Sequence, residues 1–111
     1  MGLTTLLAAH RLRGNTPAIA REIARRCESD VWNRVCDHIA TMSLFEARGY
    51  IGARAGRIVR QHVAAYRTGL AADDWAIRRK LVTETQDAVV GRVMGILVRH
   101  RVDRQPVRRA A

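Results

Sequence analysis

Apolar side chains recur every three or four residues along most of the chain, and this spacing constrains the fold more than any other feature. Residues at this spacing share one face of an α-helix. Alternation of apolar and polar residues, which is typical of a strand, does not persist in any segment. The sequence therefore predicts an all-α fold, a small helical bundle. Along the first long helix the apolar positions are Ala20, Ile23, Ala24, Cys27, Val31, Val35, Ile39 and Met42.

Local signals divide the N-terminal part of the chain into two predicted helices. A short amphipathic helix begins near Leu3 and ends at Gly14. Thr16 and Pro17 are typical of an N-cap followed by proline in the first turn, where its missing N–H is not needed. A second helix is therefore predicted over 17–42.

Two further long helices are predicted after this one. Ser43 and Glu46 have the spacing of a capping box, which predicts a third helix over 44–68. One kinked helix across 17–68 is the alternative. A fourth helix is predicted over 74–103, capped by one of two adjacent aspartates. The apolar faces are Ile51, Ala55, Ile58, Val59, His62, Val63 and Tyr66 on the third helix and Ile77, Leu81, Thr85, Val89, Val93, Ile96, Leu97 and His100 on the fourth.

The segment from Ile19 to Ala24 resembles the first helix of a helix-turn-helix motif. The residues that follow, up to Val31, contain no glycine, and their apolar spacing differs by one residue from that motif. An uninterrupted helix is the simpler interpretation. At 111 residues the chain is predicted to be one bundle domain over 1–104 with a basic tail over 105–111.

Two glycine pairs, each four residues apart, lie within the third and fourth predicted helices. They are Gly52 with Gly56 and Gly91 with Gly95. Glycine inside a helix costs about 1 kcal/mol relative to alanine. The pairs therefore predict a close crossing of two helix backbones, with Gly52 level with Gly91. The alternative places one pair on a dimer interface or a ligand-facing surface.

The chain carries a formal net charge of +10, and Lys80 is the single lysine among 20 basic residues. This excess of positive charge favours an anionic partner. Few aromatic residues accompany the arginines, so phosphate contact with weak sequence discrimination is predicted rather than base stacking. The alternative is a solvated arginine-rich face that reflects genome composition. The residues predicted to contact nucleic acid are Arg54, Arg57, Arg60 and Arg67 on one helix and Arg99, Arg101 and Arg104 near the C-terminus.

No group of residues in the sequence is suited to catalysis. Cys27 and Cys36 lie on nearly opposite faces of one helix and are predicted to be reduced. Cys36 and His38 point apart on that helix, so no metal site is predicted. The sequence contains no carboxylate pair suited to acid–base chemistry and no phosphate-binding glycine loop. We therefore expect no enzymatic activity and no cofactor.

These observations predict a cytoplasmic, non-enzymatic protein that binds an anionic partner, with nucleic acid first. The rival hypothesis is an oligomerising adaptor that docks on another protein through a helical face. No apolar run approaches the roughly 20 residues needed to span a bilayer.

Overall fold

A computed structural model describes the backbone of residues 2–66 and 75–104, and the side chains from Thr16 onward within these ranges. Three helices account for nearly all of it: α1 (Gly2–Ile39), α2 (Leu44–Ala65) and α3 (Trp75–Arg104). No strand is present across these ranges, which confirms the all-α prediction. The three helices pack against one another as a bundle.

The predicted count of four helices is wrong, because α1 continues through Gly14 and Pro17 without a break. Proline inside a helix removes one backbone hydrogen bond and costs about 3 kcal/mol in a helix interior. The buried face of α1 continues through this position, because Thr16 before Pro17 and Ala20 after it are both buried. Tertiary packing thus overrides the local stop signal. The absence of a turn after Ala24 also confirms the uninterrupted helix preferred over a helix-turn-helix.

A short turn separates α1 from α2, so the alternative of one kinked helix is wrong. The Met42 amide donates to the Ile39 carbonyl at 3.2 Å and closes the turn. Ser43 is the N-cap of α2, and its hydroxyl accepts a hydrogen bond from the Glu46 amide at 3.1 Å. This bond satisfies one of the amides that the first turn of a helix leaves without an intrahelical partner. Helix α1 ends at Ile39, three residues before the predicted position.

Apart from Gly56 and Val90, the buried residues of α2 and α3 follow one another in steps of four. They are Ala47, Ile51, Ala55, Val59 and Val63 on α2 and Ile77, Leu81, Thr85, Val89, Val93 and Leu97 on α3. A step of four exceeds the 3.6-residue turn, so each stripe drifts by about 40° per step around its helix. Helices that keep such stripes in contact must cross at an angle or wind around each other.

Alanine supplies most of the small buried residues, and Gly56 is the buried glycine among the residues whose side chains are described. Ala20, Ala24, Ala47 and Ala55 are each no more than 1% exposed. The close crossing expected at Gly52 and Gly91 is not found, because a Cβ added at either position meets no heavy atom within 4 Å. Gly91 is exposed to solvent.

The second glycine of each pair makes room for an arginine of its own helix. A Cβ on Gly56 would lie 3.1 Å from Arg60 Nη1, and a Cβ on Gly95 would lie 3.7 Å from Arg99 Nη1. Each arginine is four residues beyond its glycine, on the same face of the helix. The guanidinium therefore lies against bare helix backbone where a side chain would otherwise stand.

Helices α2 and α3 run antiparallel, with a register different from the expected one. Gln86 Nε2 of α3 donates to the Gly52 carbonyl at 2.8 Å. Gly52 is thus beside Gln86, about one turn away from the expected Val90 and Gly91. We use the level of this bond to distinguish the two ends of the bundle. The loop end is where α2 ends and α3 begins. The turn end contains residues 40–43 and the C-terminus of α3.

Candidate nucleic-acid interface

The predicted arginine stripe of α2 is exposed on the surface. Arg54, Arg57 and Arg60 are all solvent-exposed. The Arg54 guanidinium lies 5.0 Å from the centre of the Tyr50 ring, a cation–π contact that orients it along the helix. Arg57 has no hydrogen-bond or ionic partner among the described residues. Arg67 lies outside the described residues.

The three C-terminal arginines differ in their surroundings. Arg99 and Arg104 are exposed, whereas Arg101 is partly buried. Arg101 Nη2 donates to the Ile39 carbonyl at 3.1 Å and also to the Met42 carbonyl. These are carbonyls that the end of α1 and the following turn leave without intrahelical partners. Arg101 therefore ties α3 to the end of α1, and fewer of its donors remain for a phosphate.

The two predicted groups of arginines do not form one cluster. Distances along the bundle axis can be counted from the level at which Gly52 contacts Gln86. Arg60 lies about 12 Å from this level, towards the loop end. Arg99 lies about 20 Å from the same level in the opposite direction, towards the turn end. Along the bundle Arg99 is thus about 23 Å from Arg54 and about 30 Å from Arg60.

The first turns of α3 add basic residues that the sequence analysis assigned no role. Arg78, Arg79 and Lys80 are exposed and follow Trp75, whose side chain is 67% exposed. Lys80 approaches Glu84 at 4.0 Å, while neither arginine has an ionic partner in the described part of the chain. The sequence could have pointed to this group, because Arg78 and Arg79 are three and four residues after Trp75, a spacing that places all three on one face of a helix.

Two basic residues of α1 at the same end are held by neighbours within the protein. Arg25 and Arg26 both contact Glu22, at 2.8 Å and 3.3 Å. The hydrogen bond from Arg25 lowers the pKa of Glu22 below its usual value, and the nearby positive charges add to this effect. Arg26 also lies over the Tyr66 ring at 5.4 Å, which places this part of α1 beside the end of α2.

The turn end contains a cleft between α1 and α3 with a volume of about 550 Å³. Its wall includes the half-buried Trp32, whose ring centre is 4.9 Å from that of His100. His38 stacks instead on Tyr50, with ring centres 5.4 Å apart, so it points away from Cys36 as expected from the sequence. The lining residues are Trp32, Cys36, Asp37, Ala40, Leu97, His100, Arg101 and Arg104.

The cysteines and histidines of the described chain do not assemble a reactive centre. No group of three or more metal-binding side chains converges there. Burial raises the pKa of the Cys27 thiol to about 11, and the negative charge of Asp30 adds to the shift. A thiol of this kind is a poor nucleophile at neutral pH. His62 is bonded to Asp30 at 3.0 Å and so links α2 to α1.

Comparison with known proteins assigns the chain to no family: no family model, curated protein or solved structure matches it. None of the three described helices has both the length and the apolar content that a membrane span requires.

Proposed function

We propose that this protein is a non-enzymatic basic module that binds nucleic acid through phosphate contacts. The observation that supports this proposal is an imbalance among its charged side chains. Four of the eight carboxylates among the described residues have a basic partner: Glu22 with Arg25 and Arg26, Glu28 with Arg92, Asp30 with His62, and Glu84 with Lys80. The other four, Asp37, Glu46, Asp87 and Asp103, have no ionic partner there, but the exposed arginines without one are more numerous. The exposed arginines with no ionic partner among the described residues include Arg57, Arg78, Arg79, Arg99 and Arg104.

Unpartnered arginines on rigid helices are suited to a phosphate backbone. The guanidinium is always charged, and its planar donors match phosphate oxygens. Each phosphate neutralised releases counterions, so the affinity depends steeply on salt. Contacts of this kind position the protein without reading sequence, so weak discrimination between sequences is expected.

Titration of the full chain into labelled duplex DNA at two salt concentrations tests the proposal. With three phosphate contacts, the affinity should fall about 40-fold between about 50 and 200 mM salt. Arg57→Glu should weaken binding more than Arg34→Glu, an equal change of charge on an exposed arginine of α1. No binding at low salt, or equal losses for the two variants, would contradict phosphate contact by α2.

A second candidate function, docking on another protein, is favoured by the exposed apolar residues of the turn end. Phe45 is 89% exposed and Val102 63% exposed, and Leu44 and Val98 are also exposed. The bond from Arg101 to the Met42 carbonyl brings these two parts of α2 and α3 to one end of the bundle. Self-association through this surface would appear as a dimer mass in light scattering that Phe45→Ser removes. A monomer mass for the unmodified chain would count against self-association through this surface.

The proposed setting is cytoplasmic. Both cysteines are free rather than joined in a disulfide. Reduced thiols are the usual state in that compartment.

A further inference from the structure

From the arrangement at the loop end we infer that this protein prefers single-stranded nucleic acid, with an unpaired base stacked on Trp75. The inference deepens the proposed function and rests on it. The neighbouring phosphates would be held by Arg78 and Arg79 of α3 and by Arg60 of α2. A duplex offers phosphates but no accessible base face, so Trp75 would add nothing to its binding.

Trp75 is the large aromatic side chain that the loop end presents to solvent. It is the first residue of α3, and its side chain is 67% exposed. Exposed tryptophan is uncommon, because its ring has a large apolar surface. Base–aromatic stacking is independent of sequence, since every base has a flat π-face. An exposed ring at the edge of a basic surface is the arrangement that single-strand binding requires.

The arginines of α3 lie on the same side of the helix as Trp75. Trp75, Arg78, Arg79 and Val82 have the spacing i, i+3, i+4 and i+7, which defines one helical face. Gln86, four residues further along, continues this face and donates its hydrogen bond to Gly52 of α2. At the level of Gln86 this face borders α2.

Arg60 reaches the same border from α2. Its Nη1 atom and the Oε1 atom of Gln86 both lie within 4 Å of the point where a Cβ of Gly56 would stand. Arg60 is eight residues beyond Gly52, and Arg78 is eight residues before Gln86, so these arginines lie at nearly the same level of the antiparallel pair. The missing side chain of Gly56 thus lets the Arg60 guanidinium lie along the edge that faces α3.

Acidic residues are sparse on this surface. The one acidic residue of α2 is Glu46, in its first turn at the opposite end. On α3, Glu84 lines the same surface pocket as Trp75, Arg79 and Lys80, and its carboxylate is 4.0 Å from the Lys80 ammonium. Asp73 and Asp74 precede Trp75 in the sequence. The four arginines at 57, 60, 78 and 79 outnumber them, so the loop end keeps an excess of positive charge.

The test compares binding of a labelled single-stranded oligonucleotide and its duplex to four forms of the full chain. Trp75→Ala should lower the single-strand affinity about tenfold and leave the duplex affinity within about twofold. Trp75→Phe, which keeps a ring, should recover most of the loss. Phe45→Ala is the matched control, because it removes an even more exposed ring at the opposite end. It should change neither affinity.

Replacing both Arg78 and Arg79 by alanine separates the inference from the proposed function. This variant should weaken single strand and duplex alike and lower the salt slope by about two. If Trp75→Ala leaves the single-strand affinity unchanged, or weakens the duplex equally, stacking on Trp75 is wrong even where phosphate binding stands. If the unmodified chain binds neither nucleic acid at low salt, the proposed function itself fails. Circular dichroism of each variant checks that the helices remain.

Discussion

The two ends of the bundle use the same residue types for different purposes. At the loop end, arginines of α2 and α3 are exposed without ionic partners and surround an exposed Trp75. At the turn end, Arg101 is partly buried and tied to carbonyls of α1 and the turn, and the exposed side chains include the apolar Phe45 and Val102 as well as Arg99 and Arg104. An arginine that satisfies orphan carbonyls stabilises the fold, whereas one that faces water is available to a ligand. Position in the bundle, not residue type, therefore decides the role.

The largest expected contrast concerns the two cysteines. Cys27 is fully buried with a pKa of about 11, whereas Cys36 is partly exposed in the cleft of the turn end. At pH 8 the thiolate of Cys27 should be about 100-fold less populated than that of an ordinary thiol. Iodoacetamide labelling followed by mass spectrometry should therefore modify the partly exposed Cys36 well before the buried Cys27. Equal rates would mean that the core around Cys27 opens as readily as the cleft.

The raised pKa of Cys27 also predicts the direction of a pH effect on stability. The unfolded thiol ionises near 9 and the folded one near 11. This contribution to stability is thus fully present below pH 9 and is lost as the pH rises towards 11. Cys27→Ala should show a weaker decline in stability over that window, as measured by urea unfolding at several pH values.

Substitution of one arginine at each end gives the next largest effect. Arg101→Ala should cost about 2 kcal/mol, because it removes charge-assisted hydrogen bonds to the Ile39 and Met42 carbonyls, and Ile39 keeps only its bond from the Met42 amide. Arg78→Ala should stay within about 0.5 kcal/mol, as is usual for an exposed side chain. Denaturant unfolding of the two variants measures both values. Equal losses would show that the arginines of the two ends are not structurally different.

A substitution between the two ends should stabilise the bundle. Thr85 is fully buried on α3, and its hydroxyl has no hydrogen-bond partner within the described residues. Thr85→Val keeps the branched shape and removes the cost of burying this group, so a gain of about 1 kcal/mol is expected. A higher thermal midpoint would support this account. A loss of stability would mean that the hydroxyl is bonded in solution.

The smallest effect compares two glycines. Gly91→Ala should stabilise by about 0.5–1 kcal/mol, because a Cβ there meets open space and alanine is the better helix former. Gly56→Ala should gain less, since the Arg60 guanidinium must move from its position 3.1 Å from the new Cβ. If Gly91→Ala destabilises instead, Gly91 packs against another chain in solution, which would support the adaptor hypothesis. Both values come from urea unfolding.

Particular residues show how far the sequence could predict this structure. The periodic positions from Ala20 to Ile39 on α1 are buried as expected, and Ser43 caps α2 as its spacing with Glu46 predicted. The predicted helix start at Pro17 was wrong, because local helix propensity does not include the burial of Thr16 and Ala20 next to it. The glycine pairs misled the prediction of a crossing at Gly52 and Gly91, where an added Cβ would meet open space, while the nearest side chain at Gly56 and at Gly95 is an arginine of the same helix.

The sequence by itself determined the all-α class, most buried positions and the excess of positive charge, since periodicity and composition are local properties of the chain. The tertiary structure decided the register of Gly52 beside Gln86, and with it which arginines lie together. It also placed Arg101 on the end of α1 and left Trp75 exposed. These contacts and exposures depend on how each helix is rotated about its axis and shifted along it relative to its neighbours. A shift of one turn, about 5.4 Å, would exchange the neighbours without changing any local pattern.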